Sequence, residues 1–292
     1  MGKTRFKSGL EYFIFVFPMV LFFFVLFVIP FFEGVEYSFK EWNGVSTTTK
    51  WVGFENYIGS FQDNGYRKAL VFTVKFVLIS VVGSNLIGFA LAYSLTRGIK
   101  LQNTLRTAFF VPQLIGGLVV GFVWRFIFGT SYKQLVTALG LTALDINWFS
   151  RPAPAFWAVV ITFLWQFSGY LMIIYIAALQ SVPTELIEAA KIDGTKPSQL
   201  LYHVVLPLIR HAFTICMFIS CSTAFKIFDI NMALTAGGPF GSTASLSFHI
   251  YNQAFTYYKY GLGSAQAVLF FLILAIVTSI QVSVMKKKEV DM

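Results

Sequence analysis

The sequence predicts an all-α, polytopic membrane protein, and three observations carry that prediction. Of 292 residues, 57% are hydrophobic and 12% charged, against about 45–50% and about 25% in an ordinary soluble domain. Mean hydropathy is +0.70. Apolar stretches long enough to cross a bilayer, about 20 residues each, recur at Tyr12–Phe32, Leu70–Tyr93, Ala108–Gly129, Ala155–Leu179, Ala212–Leu234 and Ala265–Met285. A globule of this size with so few charges would be coated in apolar patches. The composition therefore excludes a soluble enzyme, a disordered tail and a disulfide scaffold, and makes lipid the solvent.

The first span follows Lys3, Arg5 and Lys7 but is too long for a signal-peptide core. It lacks a small-residue cleavage site and reads as a retained helix. The next loop, Glu33–Lys68, is rich in aromatics and turn formers, including Trp42-Asn43-Gly44 and Trp51-Val52-Gly53-Phe54. Its foremost reading is an interfacial aromatic belt, with an extracytoplasmic docking surface as the sharper alternative. In the second and third spans, Lys75 and Arg125 lie near the outer ends and read as snorkelling anchors. Gly117 and Gly121 on the third span suit close helix packing.

Cation placement sets direction. With a cytoplasmic N-terminus, the inside segments hold Lys3, Arg5, Lys7, Arg97, Lys100, Arg106, Lys191, Lys196, Arg210 and Lys286–Lys288. The longer outside loops hold fewer, so both termini are expected in the cytoplasm. Most of the +9 net charge is then a topology signal rather than a nucleic-acid surface. Cys216 and Cys221 do not share a helix face, and read as two free, buried thiols. No internal repeat or linker divides residues 1–292, so one membrane domain is expected.

The connection between the fourth and fifth spans, Gln180–Arg210, is too long for a simple turn. Thr184 is placed to cap a short helix with Glu185 in its first turn. Leu186, Ile187, Ala190 and Ile192 give it an apolar side, and Gly194 suits a left-handed stop. A second helix would open at Thr195, with Pro197 in its first turn and Pro207 interrupting it. Two readings weigh evenly here: a helix–turn–helix that meets another surface at Ala189 and Ala190, or an amphipathic helix resting on headgroups.

Glu188-Ala189-Ala190, then Lys191 to Asp193, then Gly194, and nine residues later Val204-Val205-Leu206-Pro207, resembles the EAA signature of permease subunits of binding-protein-dependent ABC importers. Val204 stands where that signature usually has Ile. Leu234-Thr235-Ala236-Gly237-Gly238-Pro239 is similar to the LTxGGP element of the carbohydrate-type, MalF-like subfamily. Trp51–Tyr57 and Phe109-Phe110-Val111-Pro112 also resemble that subfamily, and the likeness spans nearly the whole chain.

The resemblance implies six transmembrane helices of the MetI/MalF-like permease fold in a bacterial cytoplasmic membrane. It implies a coupling helix at Glu188, Ala189, Ala190, Asp193, Gly194, Leu206 and Pro207, with Glu188 bonding a basic group of a cytoplasmic ATPase. Its implied partners are a second similar permease subunit, two ABC ATPase subunits that hold ATP and Mg, an extracytoplasmic solute-binding protein and a carbohydrate substrate. The chain has no Gly-x4-Gly-Lys-Ser/Thr phosphate loop, so it is expected to bind no cofactor and to take its energy from those partners.

Polar groups inside spans are functional candidates by default. Lys226 and Asp229 sit at i, i+3 in the expected fifth span and read foremost as a structural pair, with pathway lining as their second role. Sugar hydroxyls need hydrogen-bonding side chains and sugar C–H faces need aromatic rings. Trp165, Gln166, Ser168 and Tyr170 in the fourth span, and Thr223 and Asn231 in the fifth, supply both, although Trp165, Tyr170 and Trp124 read at least as well as lipid-facing or packing aromatics. Gly237, Gly238 and Pro239 break regular structure and, with Ser242, Thr243 and Ser245 following, are expected in a gate-forming loop or an ordinary turn. No catalytic constellation or metal-ligand spacing occurs among the His, Cys and carboxylates. A secondary transporter or channel for a polar solute is the physical alternative.

Overall fold

The structure is a computed structural model that describes residue 13, residues 15–141 and residues 145–286. Helix α1 (Phe15–Ser38) passes through an antiparallel pair, β1 (Lys40–Glu41) and β2 (Lys50–Trp51), into α2 (Glu55–Gln62). Then come α3 (Asn64–Leu95), α4 (Gln102–Leu114), α5 (Gly117–Ala138) and α6 (Pro152–Gln180). These are followed by α7 (Thr184–Ile192), α8 (Pro197–Leu208) and α9 (Arg210–Phe225). The chain continues through α10 (Asp229–Leu234), α11 (Leu246–Tyr251) and α12 (Tyr260–Lys286).

Among the described residues four helices, α1, α3, α6 and α12, are each long and apolar enough to cross a membrane, and six spans result if α4–α5 and α8–α9 are each one broken span. Tyr12 of the first expected span, and Lys3, Arg5, Lys7, Lys287 and Lys288 of the orientation argument, lie outside the described residues.

Two expected spans are corrected. The third, Ala108–Gly129, is bent by 101° between α4 and α5. Pro112 supplies no N–H inside α4, and Ile115 turns extended at ψ 131 before Gly116. The fifth, Ala212–Leu234, stops at Phe225, and after the break at Lys226 (ψ 13) a separate short helix starts at Asp229. At its other end α9 meets α8 at a 70° bend. Pro207 lies two residues before that bend, which falls at the fully buried Ile209.

The chain divides into two compact units, Met1–Asp63 with Ile250–Phe271 and Asn64–His249 with Leu272–Met292. In the first, Asn56 Nδ2 donates to the carbonyls of Ser38 and Lys40 at 2.9 Å each. The Tyr37 and Trp42 rings stack at 4.5 Å, and Trp42 meets Tyr260 at 5.0 Å. The aromatic loop is thus an ordered cluster.

In the second unit α3 packs along α6, burying Tyr66, Phe76, Val159, Leu171, Met172 and Tyr175 completely. A polar clamp crosses this apolar interface. Asn85 Nδ2 donates to Ser220 Oγ at 2.9 Å and Tyr175 donates to Asn85 Oδ1 at 2.7 Å, tying α3, α6 and α9. Inside a bilayer such interhelical bonds contribute about 0.6 to about 2 kcal/mol each. Helix α4 crosses α6 at Gly169, where an added Cβ would fall 1.8 Å from the Phe109 carbonyl oxygen. Gly117 and Gly121 serve close packing as expected, since Cβ atoms there would lie 2.8 Å from Asp229 Cβ and 2.6 Å from Ala233 Cβ. Cys216 and Cys221 are buried and unbridged.

Candidate functional site

Three features of the second unit gather the expected functional residues: a cavity, a loop above α10 and the exposed segment α7–α8.

The cavity, about 330 Å³, is lined by Gln113, Gly117, Phe163, Gln166, Phe167, Thr223 and Lys226–Ile230. Helix breaks make it. The α4–α5 break frees the Ile115 carbonyl, which accepts from Gln166 Nε2 at 2.8 Å. The α9–α10 break turns Lys226 and Asp229 into the same space, both exposed there. The expected i, i+3 pair on one helix is therefore corrected: Lys226 lies in the break after α9 and Asp229 opens α10, and no ion pair joins them among the described residues. With the helix ended at Phe225, neither charge must be neutralised within a packed interface. Gln113, Gln166, Thr223, Lys226 and Asp229 present donors and acceptors, while Phe163, Phe167 and Phe228 present rings. An apolar wall with a few convergent polar groups is the usual makeup of a small-molecule site, and the volume falls at the low end of about 300–1,000 Å³.

Trp165, Tyr170 and Asn231 are not among the cavity-lining residues. The Trp165 ring meets Trp124 at 5.5 Å, and Tyr170 packs against Phe167 at 5.7 Å. Asn231 is fully buried and holds the loop instead. Its Nδ2 donates to the Thr243 carbonyl at 2.6 Å, and its Oδ1 accepts from the Ser245 N–H at 3.0 Å.

The loop is tightly tied. Thr243 Oγ1 donates to the Gly238 carbonyl and meets the Thr235 hydroxyl at 2.9 Å. Ser245 Oγ donates to the Ile227 carbonyl at 2.7 Å, and the Leu246 N–H to Thr73 Oγ1 on α3 at 2.8 Å. Gly237, Gly238 and Pro239 form its bend, and Phe240 projects from it 88% exposed.

Segment α7–α8 has the opposite character. Nothing in α7 is buried. Pro183, not Thr184, is its N-cap residue, with Glu185 in the first turn and Lys191 in the last, which complements the helix dipole. Gly194 adopts φ +73 as expected. The Gly194 N–H donates to the Lys191 carbonyl at 3.0 Å, and the Thr195 N–H and Oγ1 donate to the Ala190 carbonyl at 3.2 and 2.5 Å. Lys196, not Thr195, precedes α8; its N–H is accepted by Gln199 Oε1 at 2.8 Å. Glu188, Ala189, Asp193 and Pro207's neighbour Leu206 follow this backbone, with Glu188 and Ala189 exposed. Ile192 is 86% and Tyr202 67% exposed, so a rigid, capped segment carries apolar side chains outward.

Gln113, Phe163, Phe167 and Phe228 in the cavity, and Thr73 beneath the loop, are not among the residues the sequence singles out for these roles. Gln113 had a signal, a polar residue directly after Pro112 within an apolar run. Thr73 had none, because its bond with the Leu246 N–H joins residues far apart in the chain. Among the described residues no group of three or more His, Cys, Asp or Glu is placed to hold a metal ion.

Residues 84–289 match the family described as "Binding-protein-dependent transport system inner membrane component". The chain is 42% identical to the "Probable starch degradation products transport system permease protein AmyD" of Thermoanaerobacterium thermosulfurigenes, covering 98% of each chain. It is 34% identical to the "Multiple sugar-binding transport system permease protein MsmF" of Streptococcus mutans, covering 91% of this chain and 92% of that one. In fold it is similar to a chain of a bacterial ABC transporter that imports the acidic polysaccharide alginate, with TM-score 0.86, 16% identity and coverage of 97% and 98%.

Proposed function

The chain belongs to the family of binding-protein-dependent transport system inner membrane components, and from that premise we propose that it is one permease subunit of an ATP-driven importer for a sugar or oligosaccharide. The names of relatives that handle starch products and multiple sugars support the substrate class. A second, similar permease would complete the pathway, two ATPase subunits with ATP and Mg would dock on one side, and an extracytoplasmic binding protein would deliver solute on the other. Both termini would be cytoplasmic, consistent with Arg97, Lys100, Arg106, Lys191, Lys196 and Arg210 in the connections assigned to that side. Residues 1–292 would act as one permease domain.

The observation that carries this reading is the exposed, capped α7. A helix whose C-terminal end is closed by its own backbone would move as a lever, and outward apolar side chains beside Glu188 suit a cleft in another protein. Ala189 and Ala190 would let that cleft approach closely. ATPase closure pushing on this lever would bias the bundle between two arrangements, opening the cavity first to one side and then the other. In the cavity, Gln113, Gln166, Thr223, Lys226 and Asp229 would bond hydroxyls while the Phe rings meet C–H faces. Trp165, Tyr170 and Asn231 would then act by supporting the pathway, and Gly237, Gly238 and Pro239 by shaping its outer mouth. Purified complex in vesicles is expected to take up sugar only with both ATP and the binding protein. Uptake driven by an ion gradient alone would refute the importer and favour a secondary transporter.

A further inference from the structure

Away from the cavity just described, a larger groove of about 980 Å³ runs between the N-terminal halves of α3 and α6. Its charge is of one sign. Arg67, Lys68 and Lys75 line it, and no carboxylate does among the described residues. Arg67 donates to Asn64 Oδ1 at 2.6 Å, whereas neither Lys68 nor Lys75 has a hydrogen-bond or ion-pair partner among the described residues.

The groove also has a direction. Lys68 and Lys75 are seven residues apart, two helical turns on nearly one face and about 10 Å along the axis. Beyond Lys75 the wall turns apolar, with Leu78 63% exposed and Ile79 beside it, while Trp157 of α6 closes the flank. Lys75 therefore stands on an outward-facing surface inside a helix long and apolar enough to span a membrane. A snorkelling cation near the end of such a span favours an anion beside it, and the described residues supply none there.

We infer that this groove binds one anionic phospholipid, its phosphate held among Arg67, Lys68 and Lys75 and an acyl chain laid along Val71, Leu78 and Ile79. Charge complementarity and the cationic-to-apolar gradient match an amphiphile better than either a neutral sugar or a free anion. Phe240 of the loop overhangs the same groove, so the bound lipid touches the segment that holds Gly237–Pro239.

The test uses the whole transport complex in nanodiscs of equal phosphatidylglycerol and phosphatidylcholine, with retained lipid counted by native mass spectrometry. Phosphatidylglycerol is expected to be retained preferentially. The combined Arg67→Gln, Lys68→Gln and Lys75→Gln variant is expected to lose at least about tenfold in that retention, since even one charge-assisted contact is worth about that much. Lys75→Arg is expected to keep it. Equal retention of the two lipids, an unchanged preference in the triple variant, or displacement by inorganic phosphate would overturn the inference. So would a disulfide cross-link from a Trp157→Cys variant to another subunit, which would show a protein covering the groove. A measurement without charge variants is the difference in fluorescence between the parent and Trp157→Phe. Brominated phosphatidylglycerol is expected to quench it more than brominated phosphatidylcholine, and equal quenching would overturn the inference as well.

Discussion

The loop around Gly237–Pro239 and the segment α7–α8 are both short, glycine-punctuated connections, yet they are held in opposite ways. The loop is fixed by buried side chains: Asn231, Thr243 and Ser245 are each fully buried, Asn231 bonds the backbone of the other two, and the Ser245 and Thr243 hydroxyls bond the Ile227 and Gly238 carbonyls. Segment α7–α8 is fixed by its own backbone closures at Ala189, Ala190 and Lys191, with nothing in α7 buried. A connection tied into the interior belongs to the stability of the chain. A helix such as α7 that is closed by its own backbone while burying nothing keeps its surface for something else.

That contrast breaks most readily at Asn231. Asn231→Leu would strand the Thr243 carbonyl and the Ser245 N–H, two buried groups at about 1–3 kcal/mol each. The expected outcome is a clearly lowered melting temperature in detergent, and an unchanged one would mean the loop is held elsewhere. Gly194→Ala comes next, because φ +73 burdens an L-residue by about 1–2 kcal/mol. The strain would fall on α7 alone, so faster hydrogen exchange over Thr184–Ile192 with an intact bundle is expected. Loss of the whole fold would erase the distinction between the two regions. Lys226→Gln sharpens the contrast from the cavity side, since Lys226 is exposed there and unpaired among the described residues. Stability is expected to hold while the half-saturating sugar concentration in vesicle uptake rises several-fold; unchanged uptake would remove Lys226 from the pathway.

Segment α7–α8 was legible in the sequence because its signals are local. Glu185 in a first turn, Gly194 at a left-handed stop and Pro197 and Pro207 at helix edges each act within one turn. Only the cap positions slipped, from Thr184 to Pro183 and from Thr195 to Lys196. The long spans were legible from apolar run length, but run length is blind to breaks. It carried the third span straight through Ile115–Gly116, and the fifth through Lys226, so Lys226 and Asp229 were set on one helix. Asn231 looked like a substrate ligand because a polar residue in an apolar run has the same signature whether it faces a cavity or the backbone fourteen residues on. The clamp of Asn85, Tyr175 and Ser220 depends on tertiary proximity and left no pattern in the sequence.

The smallest effect on the chain itself, and the most direct test of its proposed role, belongs to Glu188→Lys. The measurement is recovery of the ATPase subunits with the affinity-purified permease from solubilised membranes, alongside its melting curve. The account predicts loss of the ATPases and of ATP-driven uptake with the melting curve unchanged. Full ATPase recovery and undiminished uptake in that variant would contradict it.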